Sequence, residues 1–187
     1  MTNDRLTLAA ILAFVHAVLS RFFVSFTAEI TRPTPGALLI AALLAVVNLA
    51  LFIFLFTTLK RLLNERYQYH EADLPILALI GLNAIGVGLI LLPLTGLGYG
   101  TFSLLSKILA VAGGLLWIGL AWRLYQFPTG QIKLLRFYAV AIAVAGAGYI
   151  SVVLANAAVI VMIVADILLG VIFIQETGKP EPGKIEA

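Results

Sequence analysis

Five side chains that can bind a ligand or hold a proton lie inside long apolar stretches of this sequence: His16, Arg21, Asn48, Asn83 and Asp166. A carboxylate at the centre of a membrane helix costs about 2.5–3.5 kcal/mol on insertion scales, so Asp166 should face other helices and have a polar partner. His16 and Arg21 are the candidate partners, and the sequence leaves the choice open. The five residues predict a polar ligand-binding pocket. The alternative is a set of buried contacts that only fix helix packing.

Most catalytic and cofactor chemistries lack the residues that they need. The chain has no cysteine and two histidines, His16 and His70, and it contains no nucleotide-binding loop, hydrolase nucleophile motif or metalloprotease motif. Haem ligation by two histidines would require two chains, because His70 lies in a polar segment. His70, Glu71 and Asp73 could hold a cation, although a solvated polar loop is the simpler interpretation. We therefore expect no metal, no cofactor and no catalytic site.

The segments that carry the candidate residues are far more apolar than those of soluble domains. Hydrophobic residues make up 62% of the chain and charged residues 11%, against about 45–50% and 25% in soluble proteins. A soluble fold of 187 residues has too small an interior for that much apolar surface. The composition indicates an all-α, polytopic membrane protein whose main partner is the lipid bilayer. A net charge of +3 gives no basis for nucleic-acid binding.

Apolar runs of about 20 residues, the length that a helix needs to cross a bilayer, predict a bundle of six transmembrane helices. Their approximate bounds are 6–28, 37–59, 74–94, 102–125, 134–154 and 157–175, in one domain of residues 1–176. The last two come from a single apolar stretch, 134–175, which would be about 63 Å long as one helix. A turn near Asn156 is predicted to divide it. Residues 177–187 are predicted to form a flexible tail.

Charge placement predicts the direction of the six helices. With the amino terminus inside, nine Lys and Arg residues fall on the inner side, whereas only Arg32 falls outside. Cytoplasmic loops carry such an excess of positive charge, so we expect both termini in the cytoplasm and the protein in the inner or plasma membrane. The first helix is interpreted as retained rather than as a cleaved signal, because Arg21 interrupts its apolar run.

Helix geometry places four of the candidate residues at one depth. At about 1.5 Å per residue, His16 lies about 15 Å into the first helix and Asp166 about 13 Å into the sixth. Asn48 and Asn83 also fall within a few ångströms of the midplane. Arg21 lies about 1.5 turns above His16 on what we take to be the same side, although it can also snorkel to the outer headgroups. The pocket is therefore predicted at the centre of the membrane.

Small residues recur at every fourth position on the first and fifth helices. These alanine rows are Ala9, Ala13, Ala17, Ala139, Ala143 and Ala147. Such rows permit close contacts within the chain, with a second copy or with another protein. A six-span chain of this size with such a row on its first helix resembles the membrane-embedded substrate-binding subunits of energy-coupling-factor vitamin transporters. That resemblance implies a small-molecule ligand and a docking face on the first helix.

The sequence favours a small-ligand binder or transporter component. In this hypothesis Asp166 and Arg21 supply charge, His16 supplies a switchable hydrogen bond, and the asparagines orient the ligand. The alternative is a non-catalytic accessory subunit of a larger membrane complex, which contacts partners through the alanine rows and basic loops. An enzyme acting on lipid or quinone comes third, because no acid–base constellation is evident.

Overall fold

Six helices and no strand make up the part of the chain that the computed structural model describes, residues 2–29, 35–91, 99–128, 131–151 and 153–179. Arg32, Lys184 and most of the first two predicted outer loops lie outside these residues. The helices, in chain order, are α1 (Asn3–Glu29), α2 (Pro35–Arg61), α3 (Asp73–Leu91), α4 (Tyr99–Tyr125), α5 (Leu135–Ser151) and α6 (Ala155–Thr177). A π-helical turn, Leu62–Arg66, continues α2. The predicted all-α bundle of six helices is confirmed.

Four of these helices are long and apolar enough to cross a membrane. The segments are Asn3–Phe23, Gly36–Arg66, Leu104–Tyr125 and Ala155–Thr177. The apolar segments of α3 and α5 are shorter, and α5, with 17 residues, extends about 26 Å. Large apolar side chains such as Val18, Leu43 and Phe137 are more than half exposed on the outside of the bundle. So much exposed apolar surface suits contact with lipid rather than water.

The six helices form a closed ring. Each helix packs against the next one along the chain, and α6 returns to pack against α1. The α4–α5 contact is so close that a Cβ on Gly114 would lie 2.5 Å from the carbonyl oxygen of Gly146. A Cβ on Gly146 would likewise lie 2.7 Å from the carbonyl oxygen of Gly114. Only glycine fits at these two positions, where the two backbones touch.

The alanine row of α1 packs inside the bundle. Ala9, Ala13 and Ala17 are all buried within this single chain. The expectation that this row forms a docking face for a second protein is therefore wrong, because intramolecular contacts already cover it. On α5 the row leaves the interior gradually: Ala139 is buried, whereas Ala147 is exposed.

The reversal between α5 and α6 comes before Asn156, the residue predicted to make it. α5 ends at Ser151 and α6 begins at Ala155. Ser151 stabilises the reversal, because its hydroxyl donates to the carbonyl of Gly148 at 2.9 Å and accepts the N–H of Leu154 at 3.1 Å. Asn156 lies one residue inside α6 and is exposed. The sequence predicts the turn at Asn156 because asparagine tolerates turns. In the structure, Ser151 at the end of α5 bonds to the backbone groups of the turn instead.

A polar cluster closes one end of the bundle, the end where α1 begins and α6 finishes, which we call the terminal end. Glu176 is its centre, accepting from the Tyr67 hydroxyl at 2.6 Å and pairing with Lys179 at 2.5 Å. Arg66 donates to Asn3 at 2.9 Å and to the backbone carbonyl of Glu176. We call these five residues the terminal clasp. Lys179 belongs to this cluster and Thr177 is helical, so the described residues of the predicted tail contact the bundle.

Candidate ligand-binding site

His16 and Asp166 meet where α1 packs against α6. Nδ1 of His16 lies 2.9 Å from Oδ2 of Asp166, and the two residues are only 6% and 4% exposed. His16 is the fourteenth of 27 residues in α1, and Asp166 is the twelfth of 23 in α6. The pair therefore lies at the middle height of the bundle, and His16, not Arg21, is the partner of Asp166.

Small residues around the pair allow the two helices to approach. Gly170 follows Asp166 by one turn of α6, and a Cβ there would lie 3.3 Å from the Ala10 carbonyl oxygen and 3.1 Å from the Phe14 ring. Ala13 and Ala17 flank His16 on α1 and are buried. Close backbones let two short side chains, an imidazole and a carboxylate, span the gap between helices directly.

The hydrogen bond to Asp166 links the protonation states of the two side chains. With the carboxylate ionised and the imidazole neutral, the shared proton lies on Nδ1 and Nε2 keeps its lone pair. Nε2 is buried and has no hydrogen-bond partner in the described part of the chain. An unpaired buried acceptor costs about 1–3 kcal/mol, so this nitrogen destabilises the folded chain unless a donor reaches it.

His16 and Asp166 form part of the wall of a cavity at the centre of the ring. The cavity has a volume of about 390 Å³ and receives side chains from all six helices, which is within the range of about 300–1,000 Å³ for small-molecule sites. Its polar lining residues are His16, Ser20, Asn48, Asn83, Ser106, Tyr149 and Asp166. Four of the five residues predicted from sequence to form a pocket therefore share one cavity.

The two asparagines are engaged differently. Asn48 makes an interhelical hydrogen bond, with its Oδ1 3.2 Å from the Ser20 hydroxyl on α1. Asn83 donates from Nδ2 to the Leu79 carbonyl of its own helix at 2.9 Å. Because a carbonyl can only accept, this bond fixes the amide orientation and leaves Oδ1 of Asn83 as an acceptor at the cavity. Asn48 thus links helices, whereas Asn83 does not.

An aromatic wall borders the cavity beside His16. The Phe52 ring stacks on Phe56 at 4.2 Å between centroids and meets Trp117 edge-on at 6.0 Å. The His16 ring lies 6.3 Å from that of Phe52. Phe52, Trp117 and Tyr149 line the cavity, which gives it flat, apolar surfaces next to its polar group. Neither Trp117 nor Tyr149 is among the five residues predicted from sequence to form the pocket.

Arg21 does not reach the cavity. Its side chain is exposed and is absent from the described lining. Five residues advance a helix by about 500°, so Arg21 faces about 140° away from His16 around the axis of α1. The expectation that Arg21 supplies charge to the pocket is therefore wrong. Ser20, four residues after His16, does line the cavity, and the helical i+4 spacing is the signal that predicts it.

Glu71 and Asp73, two of the residues considered for a cation site, bond to other residues of the protein. Glu71 pairs with Arg123 at 2.8 Å. Both oxygens of Asp73 accept from Asn64, at 3.0 and 3.1 Å, and Lys60 lies 3.4 Å away. No group of three or more His, Cys, Asp or Glu residues that could hold a metal occurs in the described ranges. Asp73 and Glu71 therefore connect helices at the terminal end.

Comparison with models of protein families, with curated proteins and with solved structures finds no match for this chain. The resemblance to substrate-binding subunits of vitamin transporters therefore rests on helix number and alanine spacing alone. The geometry of the cavity is the basis for a function.

Proposed function

We propose that this protein binds a small ligand in the central cavity of its six-helix membrane domain, as a receptor or a component of a transporter. The observation that carries the proposal is the buried His16–Asp166 pair on the cavity wall, with Nε2 of His16 unpartnered. A pair that only fixed helix packing would not need to lie on the wall of a cavity of about 390 Å³. A bound ligand could contact the pair from this cavity.

Binding rather than catalysis is proposed because no activated nucleophile accompanies the pair. A hydroxyl activated by an Asp–His pair must lie within hydrogen-bond reach of the free ring nitrogen. The nearest candidate on α1, Ser20, bonds to Asn48 instead, and Nε2 of His16 has no partner in the described residues. The accessory-subunit hypothesis is weakened in turn, since the alanine row of α1 is covered by α6 and other parts of the same chain.

All six helices are proposed to cross the inner or plasma membrane, with the terminal end in the cytoplasm. Four helices have the length and apolarity for a crossing, and the ring places α3 and α5 between such helices. The positive residues cluster at the terminal end; those described are Arg5, Lys60, Arg61, Arg66, Arg123, Lys133, Arg136 and Lys179. This distribution favours a cytoplasmic position for both termini.

Filling the cavity tests the proposed function. Gly86 lines the cavity and Gly81 does not, yet a Cβ at either position of α3 meets nothing within 4 Å. Gly86→Leu should therefore obstruct the cavity without a backbone clash, and Gly81→Leu is its matched control. The measurement is a thermal-shift screen of the detergent-purified chain against a library of small metabolites.

We expect compounds that stabilise the unsubstituted protein and Gly81→Leu to lose their effect on Gly86→Leu. Two results would contradict the proposal. One is stabilisation that persists undiminished in Gly86→Leu, and the other is a library in which no compound distinguishes the two variants.

A further inference from the structure

We propose that the cavity takes a compact lipophilic amine in its protonated form, and that a proton on His16 competes with it. This inference rests on the proposed ligand-binding function and names the chemical class of the ligand. Its basis is the charge of the cavity together with the acceptor groups and aromatic rings of its lining residues.

The described cavity lining has one acid and no permanent cation. Asp166 is its only carboxylate, and no Lys or Arg is among the lining residues. With His16 neutral and Asp166 ionised, the pair carries one negative charge in a buried position, where an uncompensated charge is costly. Compensation requires one positive charge at Nε2 of His16 or at the carboxylate. A proton and an ammonium group are the two carriers that the site can accept.

Residues that line the cavity carry hydrogen-bond acceptors for such a charge. Nε2 of His16 has no partner, and Asn83 presents Oδ1 because its amide nitrogen is committed to Leu79. Asp166 uses only Oδ2 in its bond to His16. A carboxylate and an amide oxygen on the cavity lining match a ligand that brings several N–H groups, as a protonated amine does. A carboxylate or phosphate ligand would find repulsion there.

The rest of the cavity fits an apolar, aromatic body attached to that amine. Phe52, Trp117 and Tyr149 offer ring faces, which attract cations electrostatically as well as apolar groups. Met162 and Leu109 add aliphatic surface. A cavity of about 390 Å³ has room for a bicyclic aromatic amine.

The groups facing the pair leave His16 and Asp166 to determine the pH response between pH 5 and 8. From α5, Tyr138 and Tyr149 lie within electrostatic range of Asp166, and phenols stay neutral in this range. Helices α2, α3 and α4 contribute Asn48, Asn83 and Trp117, which do not titrate. Imidazole is the side chain that changes charge over this interval, so a proton taken up at Nε2 should displace the amine.

Three indole compounds with the same ring test the class of ligand. Tryptamine is a cation throughout the range, since alkyl amines lose their proton near pH 10, whereas tryptophol is neutral and indole-3-acetate is an anion. We expect tryptamine to bind the detergent-purified full chain at least about tenfold more tightly than either analogue at pH 8, by isothermal titration calorimetry. At pH 5.5 its affinity should fall at least about fivefold through competition with the proton.

Two conservative variants separate the roles of the pair. Asp166→Asn removes the negative charge and should abolish the preference for tryptamine over tryptophol. His16→Gln can still donate to Asp166 but cannot take up a proton, so tryptamine binding should remain while its pH dependence disappears. Gly81→Leu should match the unsubstituted chain in all three respects.

The results that overturn this inference differ from those that overturn the proposed function. Tryptophol or indole-3-acetate binding as tightly as tryptamine, or tryptamine failing to bind at pH 8, excludes the amine class. Equal tryptamine affinity at pH 5.5 and pH 8 excludes proton competition. Either finding leaves the proposed ligand-binding function intact if Gly86→Leu still abolishes the stabilisation seen in the metabolite screen.

Discussion

At the scale of single residues, the hydrogen bond between His16 and Asp166 is the main interhelical polar contact of the interior. Its two partners are separated by 150 residues of sequence, and each is buried. Sequence reasoning identifies both, because ionisable residues in apolar runs require partners. It misplaces Arg21, since hydrophobicity alone does not tell which side of α1 faces inward. The pair combines a structural contact with an open acceptor.

Removing one member of the pair should destabilise the protein more than removing both. His16→Leu or Asp166→Leu leaves a buried polar partner, whereas the double variant leaves none. We expect a coupling energy of about 1–2 kcal/mol from a double-mutant cycle, measured by denaturant unfolding in detergent. Strictly additive single and double effects would show that the two side chains do not interact.

At the scale of helices, the contact between α4 and α5 depends on glycine. Gly114 and Gly146 bring the two backbones together, and α5 is the shortest of the six helices that the structure describes. Apolar runs predict that these helices exist. They do not predict the contact, because many glycines lie on these helices and only the packed structure shows which ones touch. The end of α5 is predicted too late for a similar reason. The hydroxyl of Ser151 bonds to the backbone of the turn, and the apolar run does not reveal that bond.

Gly114→Ala should destabilise the bundle, whereas Gly119→Ala on the same helix should not. The Cβ at position 114 would lie 2.5 Å from the Gly146 carbonyl oxygen, and the Cβ at position 119 meets nothing within 4 Å. Overpacking of this kind costs about 1–3 kcal/mol, while Gly→Ala at an open helical site gains up to about 1 kcal/mol. Thermal unfolding of both variants in detergent tests the difference. Equal midpoints would argue against the close α4–α5 contact.

At the scale of the whole molecule, the ring and the terminal clasp fix the helices to one another. The ring could not be predicted from sequence, because apolar periodicity is weak in helices that are apolar on every side. The clasp was equally hidden, since Arg66 and Tyr67 lie about 110 residues from Glu176 and Lys179 along the chain, and all four look like ordinary interface residues. What the sequence does predict is that the clasp residues lie on the same side of the membrane, through the excess of Lys and Arg in alternate loops.

Alkaline titration should open the clasp. Burial, with the hydrogen bond to Glu176, raises the pKa of Tyr67 above its ordinary 10.0. Partial burial lowers the pKa of Lys179, but its bonds to Glu176 and Tyr67 outweigh that effect and raise it above 10.5. Both shifts favour the protonated form in the folded protein, so their stabilisation is present below pH 10 and is lost as the pH rises through the shifted values.

The corresponding measurement is the thermal midpoint between pH 8 and pH 11.5. The unsubstituted chain should lose stability steeply above pH 10. The Tyr67→Phe/Lys179→Met variant should start lower at pH 8 and decline less. Parallel curves for the two proteins would show that the clasp does not contribute to the alkaline transition.

The absence of cysteine makes the orientation directly testable. Gln131, beside α5 at the terminal end, and Val153, at the opposite end, are both exposed, so each can carry a single introduced cysteine. In intact cells, a membrane-impermeant maleimide should label Val153→Cys, whereas Gln131→Cys should react only after the membrane is permeabilised. The reverse pattern would place the termini outside, and labelling of both in intact cells would contradict six crossings.

The closure of the ring by α6 against α1 also determines when the ring can be completed during synthesis. His16 leaves the ribosome 150 residues before Asp166, which at about 5–20 residues per second is a delay of roughly 8–30 s. Throughout that interval the first helix has an imidazole and a row of alanines without their final partner. The nascent protein must therefore hold an incomplete arc of helices in the bilayer, and the last helix to be inserted completes both the cavity wall and the fold.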